Sequence, residues 1–417
     1  MLRWRFSRFA SPIAAFVLLL ALTACMRGPM VAAPLGSPQS PFPGRGQPPG
    51  PPPPPPGATG PVKVAVLLPL SGANADLGKA MLEAAQLALF TTGNDRLTLV
   101  PRDTSGTPDG AVNAARAVIA EGAQLILGPL LAAEVDAVKP VASEAKINVL
   151  AFSTATQLAG DNVFLMGFLP RQEVVREVSF ARESGVSRFA ALAPNTEYGR
   201  VMTDALREAA AQAGGTVVKT ETFDPRAGDA GPAVQRLLGS AAPAGTASGA
   251  APPTPPAAGF DALLLPEGGE TLKQIARRLK QAGIGAPQVR LLGSGLWDDP
   301  SIAGEPALSG GWFAASPPEL RREFETRFQA TYNHPPPRLA SLAFDAAALA
   351  SVLAKAGGSA PFTHDAILNP SGFTGVDGLF RFTPQGLVQR GLAVIEVQPQ
   401  GNTVVSPAPH DFAGFAF

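Results

Sequence analysis

The sequence predicts an α/β fold of two doubly wound parallel-sheet lobes, joined by a hinge that the chain crosses several times. Two observations predict this class. Short runs of β-branched and aliphatic residues alternate with Ala-rich segments of helical apolar spacing, which is typical of parallel sheets covered by helices on both faces. The alternation occurs in two successive series, and the chain is long enough for each series to form its own hydrophobic core.

The first series begins with residues 62–68 (VKVAVLL), a continuous aliphatic run that is typical of a strand buried on both faces. Pro69 and Gly72 end that run, and residues 77–90 follow with the apolar spacing of a helix. The cycle then repeats. We expect further strands at 97–101, 124–127 and 148–152, and further helices at 109–121 and 131–145.

The second series begins with a predicted helix at 171–184 and ends with a predicted strand at 288–292. A long Ala-rich helix is predicted later, at 340–355, and a closing pair of antiparallel strands at 379–382 and 392–397. Within the second series we expect strands at 189–193, 216–223 and 260–265, and helices at 198–213, around Val234 and at 271–282.

The two series predict how the chain is divided between the lobes. The crossovers are expected near Phe168, Gly293 and Gly357, where the series end or resume. Lobe 1 is therefore expected at about 62–168 and 294–357, and lobe 2 at about 169–293 and 358–417.

The chain has one cysteine, Cys25, which ends the run Leu-Thr-Ala-Cys behind an apolar segment at 13–22. That segment is too short to span a bilayer, and three arginines precede it. The pattern resembles a bacterial lipobox, in which a signal peptidase cuts before the cysteine and the sulfur carries a diacylglyceryl group. It predicts a lipoprotein signal peptide at 1–24 and a lipid anchor on Cys25. The alternative is an ordinary secretory signal with an unrelated cysteine.

The residue after the cysteine bears on which membrane holds the anchor. In lipoproteins of this kind an aspartate there often marks retention in the inner membrane, and this chain has Met26. We therefore expect an outer-membrane lipoprotein that faces the periplasm, with inner-membrane anchoring as the alternative. Several acyl chains, such as palmitate, hold a protein permanently at about 0.8 kcal/mol per buried CH₂.

The chain has two low-complexity segments, one before the first predicted strand and one within the second series. Residues 25–61 are rich in Pro and Gly and include six consecutive prolines at 51–56, which favours a semi-rigid polyproline II stalk. At ~3.1 Å per residue the stalk would reach on the order of 100 Å. The alternative is a low-complexity tail without a role. The low-complexity composition of residues 239–259 predicts a disordered insertion between a helix and a strand.

Composition excludes several classes of function. Without residues 1–24 the chain has 30 basic and 33 acidic side chains, which gives no electrostatic case for binding nucleic acid. His334, His364 and His410 lack the spacing of metal ligands, so we expect no metal and no cofactor. Residues 143–146 fit the S-x-x-K pattern of penicillin-interacting serine enzymes, but the partner motifs are missing. We therefore expect no enzymatic activity.

Four segments, in the right order, resemble the type I periplasmic binding proteins of the leucine/isoleucine/valine-binding family. They are 64–78 (VAVLLPLSGANADLG), 125–130 (LILGPL), 149–158 and 197–199 (EYG). The resemblance covers residues 62–417. It implies a leucine-binding-protein-like domain with the type I periplasmic-binding-protein fold, in which a cleft between the lobes is the expected ligand pocket.

The resemblance also implies ligand-binding residues. Thr154, preceded by Ser153, matches a threonine-bearing loop that holds a ligand carboxylate, and Tyr198 matches an aromatic residue that closes over the ligand from lobe 2. Ala132 stands where a serine is expected, and Gly295 stands at or near the place of the acid that pairs with the ligand ammonium group. A buried ammonium group without its carboxylate costs several kcal/mol, which argues against a simple leucine-type zwitterion.

The complete set of expected cleft residues includes several that have structural alternatives. Serines can cap helices or turns, Trp297 can fill a core under the hinge, Asp298 can cap a helix, and Glu267 can serve a helix dipole. The set is Ser71, Ser153, Thr154, Tyr198, Glu267, Ser294, Trp297 and Asp298.

A closer resemblance involves three later segments. Residues 291–300 (LLGSGLWDDP), 310–313 (GGWF) and 375–382 (GVDGLFRF) are similar to alphaproteobacterial penicillin-binding protein activators. This resemblance implies a lipoprotein that regulates peptidoglycan synthases. Its expected partners are a penicillin-binding synthase, the lipid bilayer through Cys25, and a small-molecule ligand.

The alternative function is the solute receptor of an ABC importer for branched-chain amino acids, amides or a related small molecule. Its partner would be an ABC permease. Neither function involves nucleic acid.

Overall fold

This computed structural model describes residues 61–239, 259–356 and 358–412. The predicted signal peptide at 1–24, Cys25 and the predicted stalk up to residue 60 lie outside the described residues. Residues 240–258, which form most of the predicted insertion, lie outside them as well.

Lobe 1 is built on a parallel sheet of five strands in the order β2-β1-β3-β4-β5. The strands β1, β3, β4 and β5 are almost entirely buried, as their aliphatic sequences require, whereas the edge strand β2 is mostly half-buried. In chain order the elements are β1 (Val62–Leu68), α1 (Ala75–Thr92), β2 (Leu97–Asp103), α2 (Pro108–Ala120), β3 (Leu125–Leu127), α3 (Ala132–Glu144), β4 (Asn148–Ala151) and β5 (Val163–Leu165).

The chain crosses into lobe 2 after Phe168 and repeats the same alternation. Five of the lobe 2 strands are parallel, in the order β7-β6-β8-β9-β10. The elements are α4 (Pro170–Glu183), β6 (Arg188–Pro194), α5 (Glu197–Gln212), β7 (Thr216–Phe223), α6 (Gly231–Leu238), β8 (Ala262–Leu264), α7 (Gly269–Gln281), β9 (Arg290–Leu292) and β10 (Trp312–Ala315).

After β10 the chain returns to lobe 1. Phe328, Ala347 and Phe380 from this returning segment belong to the same buried cluster as Val64 of β1, so the segment completes the lobe 1 core. Its elements are α8 (Pro318–Tyr332), α9 (Ala340–Ala356), α10 (His364–Ile367) and an antiparallel ribbon of β11 (Phe373–Gly375), β12 (Gly378–Phe382) and β13 (Val388–Arg390).

The last two strands lie in lobe 2. β14 (Ala393–Glu396) is antiparallel to β10, and β15 (Thr403–Ser406) is antiparallel to β14. They extend the lobe 2 sheet to seven strands. Across the described ranges, no helix combines the length and the apolar character needed to cross a membrane.

The fold class of two α/β lobes is confirmed, and the lobe boundaries in the last third of the chain are corrected. Residues 294–315 lie in lobe 2, because β10 pairs with β9 and β14. Residues 358–390 contribute to the lobe 1 core. The predicted strands at 379–382 and 392–397 do not pair, because they lie in different sheets. The three crossovers fall at 166–169, 315–318 and 390–393.

Candidate ligand cleft between the lobes

The carboxyl ends of β1 and β2 place hydroxyl groups at the edge of lobe 1. Asp103 Oδ1 accepts hydrogen bonds from the backbone N–H groups of Leu70 (2.8 Å) and Ser71 (3.2 Å), and the exposed Ser71 hydroxyl bonds with Ser105 at 3.2 Å. Burial raises the pKa of Asp103, but the hydrogen bonds from Ser71, Ser105 and Leu70 outweigh it and lower that pKa overall. Asp103 therefore orders the two loops as an ionised acceptor.

The start of α3 carries a second carboxyl group at this edge. Ala132, where the resemblance expects a serine, is the first residue of the helix, and Glu134 Oε2 accepts from the Leu131 N–H at 3.1 Å. Burial is the main cause that raises the pKa of Glu134, and Asp103 nearby adds to the effect. Glu134 was not among the expected residues, although a glutamate three residues after the N-cap, here Leu131, is the acid of a capping box.

Ser153 and Thr154 follow β4 and lie against the first crossover. A Cβ atom on Gly167 would lie 2.5 Å from the Ser153 carbonyl oxygen and 2.8 Å from Thr154 Cγ2, so this close approach requires a glycine. The Ser153 hydroxyl is buried and accepts from the Ala155 N–H at 3.1 Å. Thr154 is exposed. Of the two residues, Thr154 is the one that is open to solvent.

Tyr198 and Ser294 are brought together in lobe 2. Tyr198 lies in the first turn of α5 and is half-buried, whereas Ser294 follows β9 and is fully buried. Their side chains form a hydrogen bond with each other. Burial is the largest cause of the raised pKa of Tyr198, followed by the neighbouring carboxyl groups of Glu173, Glu177 and Glu267. The phenol is therefore a neutral group that can donate a hydrogen bond.

A carboxyl group missed by sequence analysis occupies the turn at Gly295. Glu173 lies in the first turn of α4, and its Oε2 accepts from the Gly295 N–H at 2.8 Å. Burial raises the pKa of Glu173 to about 7, although the Gly295 N–H and Arg338 both act to lower it. The turn at Gly295 therefore has a carboxyl group beside it, which comes from the helix that follows the first crossover.

The neighbouring acids have different surroundings. Glu177, one helical turn beyond Glu173, is buried, and its Oε1 accepts from the Ala314 N–H of β10 at 2.8 Å. Burial raises the pKa of Glu177 well above its ordinary value, with Glu173 adding to the effect. Glu267 is half-buried and accepts from the N–H of its own neighbour, Gly268, at 3.0 Å.

Trp297 and Asp298 do not occupy the positions expected for ligand-binding residues. Trp297 is fully buried in the lobe 2 core, where its indole N–H donates to the Leu265 carbonyl at 3.2 Å. It is therefore a core residue, which was the alternative to a place in the cleft. Asp298 is not a helix N-cap, because it ends the helical turn Gly295–Trp297 and no helix begins in the described stretch between it and β10; its carboxylate forms an ion pair with Arg321 of lobe 1.

The arrangement favours binding over catalysis. Hydroxyl, phenol and carboxyl groups lie at the carboxyl ends of strands in both lobes, where α/β folds bind ligands. Within the described part of the chain, no three His, Cys, Asp or Glu residues come close enough to hold a metal ion. Residues 143–146 fall at the end of α3, where Lys146 has a φ of 57°, so they form a helix terminus.

A separate groove of about 420 Å³ lies on lobe 2 between α5 and β7. It contains none of the expected cleft residues. Its arginines are already paired, Arg200 with Glu197 and Arg207 with Asp204.

Two α/β lobes joined by three crossovers, with polar groups at the carboxyl ends of their strands, define a bilobal binding protein. The chain belongs to the family described as Periplasmic binding protein, whose profile matches residues 61–402. This confirms the predicted relationship to the leucine/isoleucine/valine-binding type. The family is a solute-binding one, and it implies a location in the periplasm or cell envelope.

Solved structures with the same fold cover nearly the whole described chain. A putative branched-chain amino acid ABC transporter from Rhodospirillum rubrum has a TM-score of 0.71 and 20% identity, over 83% of this chain and 100% of that one. An ABC transporter substrate-binding protein from Sphaerobacter thermophilus has a TM-score of 0.67 and 23% identity, over 84% and 98%. A solute-binding protein from R. palustris, in complex with benzoate, has a TM-score of 0.58 and 20% identity, over 85% and 99%.

One curated relative is similar over a shorter stretch. An uncharacterised protein of Rickettsia prowazekii (strain Madrid E) is 23% identical over 163 residues, which are 39% of this chain and 43% of that protein. The match therefore spans less than half the length of the relative.

Proposed function

We propose that this chain is a lipid-anchored regulator of peptidoglycan synthesis, of the penicillin-binding protein activator type. The observation that carries the proposal is that the three segments similar to those activators are close in space: the first packs on the second in the lobe 2 core, and Arg338 links the first to the third. The rings of Trp297 and Phe313, from the first two segments, have their centres 6.4 Å apart. Arg338 lies 2.9 Å from Asp377 of the third segment and 3.9 Å from Asp298 of the first.

The partners of the cleft side chains also support a regulator. Tyr198 and Ser294 bond with each other, and Glu173 holds the Gly295 N–H. Polar groups that are already paired within the protein offer less to a zwitterionic solute, because a buried ammonium group needs a free carboxylate.

The test is crosslinking in intact envelopes, followed by identification of the captured proteins. We expect recovery of a peptidoglycan synthase, and an altered rate of glycan polymerisation or peptide crosslinking when the purified pair is given lipid-linked precursor. Cells that express the Cys25→Ser chain are the matched control and should give weaker recovery. Recovery of a permease complex alone would contradict the proposal.

A second candidate function is the solute receptor of an ABC importer for a branched-chain amino acid, an amide or a related small molecule. One observation favours it: Thr154, beside the first crossover, is exposed. The solved structures of similar fold, which include branched-chain amino acid and benzoate-binding transport proteins, agree with this class.

Thermal shift and calorimetry with leucine, isoleucine, valine, their amides and benzoate test the receptor function. A ligand at 100 times its Kd adds about 2.7 kcal/mol of stability, which raises the melting temperature measurably. We expect Thr154→Ala to weaken that shift. Ser143→Ala, an exposed change at the end of α3, is the control and should leave the shift unchanged. No shift with any of these compounds would count against import.

A further inference from the structure

A nearly buried ion pair joins the two lobes beside the hinge. Asp298 belongs to lobe 2, where it follows the core residue Trp297. Arg321 belongs to α8 of lobe 1. Arg321 Nη2 donates to Asp298 Oδ1 at 2.8 Å, and Nη1 pairs with the second carboxylate oxygen. The two side chains are only 12% and 11% exposed. Bidentate pairs of this kind are stronger than single hydrogen bonds and fix the geometry of both partners.

A second arginine of lobe 1 extends the contact. Arg338 Nε lies 3.9 Å from Asp298 Oδ2, and Arg338 Nη2 lies 2.9 Å from Asp377 Oδ1 in the turn between β11 and β12. The Arg338 guanidinium also lies 4.1 Å from the centre of the Phe168 ring. Asp298 therefore faces two cations from lobe 1.

All three crossovers contact the groups around this ion pair. Phe168 is in the first crossover. Pro317 is in the second, where a Cβ atom on Gly378 would lie 2.9 Å from its Cδ. Arg390 begins the third crossover; it donates to the Met166 carbonyl at 2.8 Å and lies 4.9 Å from the Phe168 ring. The three chain segments that connect the lobes therefore lie beside the residues that surround Asp298.

The partners of the arginines make the contact reversible. Arg321 also lies 3.3 Å from Glu325, and Arg338 keeps its contact with Asp377. Both of these carboxylates belong to lobe 1. When the Asp298 carboxylate separates from lobe 1, each arginine keeps a carboxylate partner and water hydrates Asp298. Separation of the lobes therefore leaves no buried charge unpaired. An unpaired buried charge is what usually makes breaking a buried ion pair very costly.

We propose that Asp298 is an interlobe latch, which holds the two lobes together through Arg321 and Arg338 and sets the equilibrium between joined and separated lobes. The latch acts whether the protein serves as a regulator or as a solute receptor. Its removal favours the separated state.

The test is an interlobe distance measured by double electron–electron resonance. The full chain carrying Cys25→Ser has no thiol, so Gln86→Cys on α1 and Gln212→Cys on α5 place one spin label on each lobe. Both sites are exposed. Adding Asp298→Asn should raise the separated population on the order of tenfold, because the neutral amide loses the charge-assisted bidentate pair with Arg321.

Two further variants make the result decisive. Arg321→Lys keeps the charge but removes the bidentate geometry, and it should give a smaller rise. Glu323→Gln removes an exposed ion pair with Arg327 on the same helix, and it should leave the distances unchanged. The proposal is overturned if Asp298→Asn and Arg321→Lys, with native circular dichroism spectra, give the same distances as Glu323→Gln.

Discussion

At the scale of single residues, the contact between Glu173 and Gly295 is the feature that changes the interpretation of the cleft. Sequence analysis looked for an acid within the turn after β9 and found a glycine. The structure brings a carboxyl group to that turn from α4, more than a hundred residues earlier in the chain. A contact between residues so far apart in sequence cannot be predicted from local spacing.

Glu173→Gln should flatten the pH dependence of stability between about pH 4.5 and 7. Burial raises the pKa of Glu173 from 4.5 to about 7, so the folded state binds this proton more tightly than the unfolded state does. The stability that this carboxyl group contributes is fully present below its pKa in the unfolded state. It is lost as the pH rises through the pKa in the folded state, at up to about 1.4 kcal/mol per pH unit. Urea denaturation across this range measures the slope.

Glu144→Gln, at the exposed end of α3, is the matched control and should keep the wild-type slope. An identical slope for Glu173→Gln and the wild type would show that the Glu173 carboxyl group is not held in the environment described here.

The expected cleft residues illustrate what sequence can and cannot specify. Thr154 and Tyr198 follow the ends of strands that the aliphatic runs locate well. In the structure Thr154 is exposed and Tyr198 is half-buried at those ends. Trp297 and Asp298 are adjacent in sequence, yet one fills the lobe 2 core and the other reaches lobe 1. That division depends on the three-dimensional position of α8.

At the scale of elements, α4 fixes a strand that sequence analysis assigned to the other lobe. Glu177 on α4 accepts the N–H of Ala314 in the middle of β10. Burial raises the pKa of Glu177 well above its ordinary value, which favours the protonated carboxyl group. The contact joins the helix to the sheet, and burial favours its neutral form.

Glu177→Gln should be tolerated and Glu177→Ala should not. Glutamine is neutral and keeps an oxygen that accepts from Ala314, so we expect its free energy of unfolding to stay within about 1 kcal/mol of the wild type. Alanine leaves the Ala314 N–H buried without its partner, which costs about 1–3 kcal/mol. Chemical denaturation measures both values, with the exposed Glu183→Ala on the same helix as the control. Equal losses for glutamine and alanine would refute a protonated carboxyl group.

The strands that sequence analysis placed well are those whose pattern is unambiguous. β1 is seven aliphatic or lysine residues, and its predicted and observed bounds agree. β10 has four residues, and the ribbon strands β11 to β13 have three to five. Such short segments show where a strand lies, but they do not show which sheet it joins, because both sheets accept apolar strands.

At the scale of the whole molecule, the anchor and the stalk decide where the binding domain acts. Both remain predictions from the sequence of residues 1–61. Cys25→Ser should move the protein from the membrane fraction to the soluble periplasmic fraction and abolish the incorporation of labelled palmitate, because the acyl chains supply the membrane affinity. Cell fractionation with immunoblotting measures it. Ser37→Ala, in the stalk, is the control and should fractionate with the membrane. Equal fractionation of Cys25→Ser and the wild type would show that the sulfur carries no lipid.

The three crossovers have a consequence for how the molecule is made. α1, near the beginning of lobe 1, packs against α9 across about 250 intervening residues, and lobe 2 is finished only by β14 and β15. Synthesis therefore delivers almost the entire polypeptide before either half has all of its parts. Neither lobe is therefore formed by a single continuous fragment of the chain.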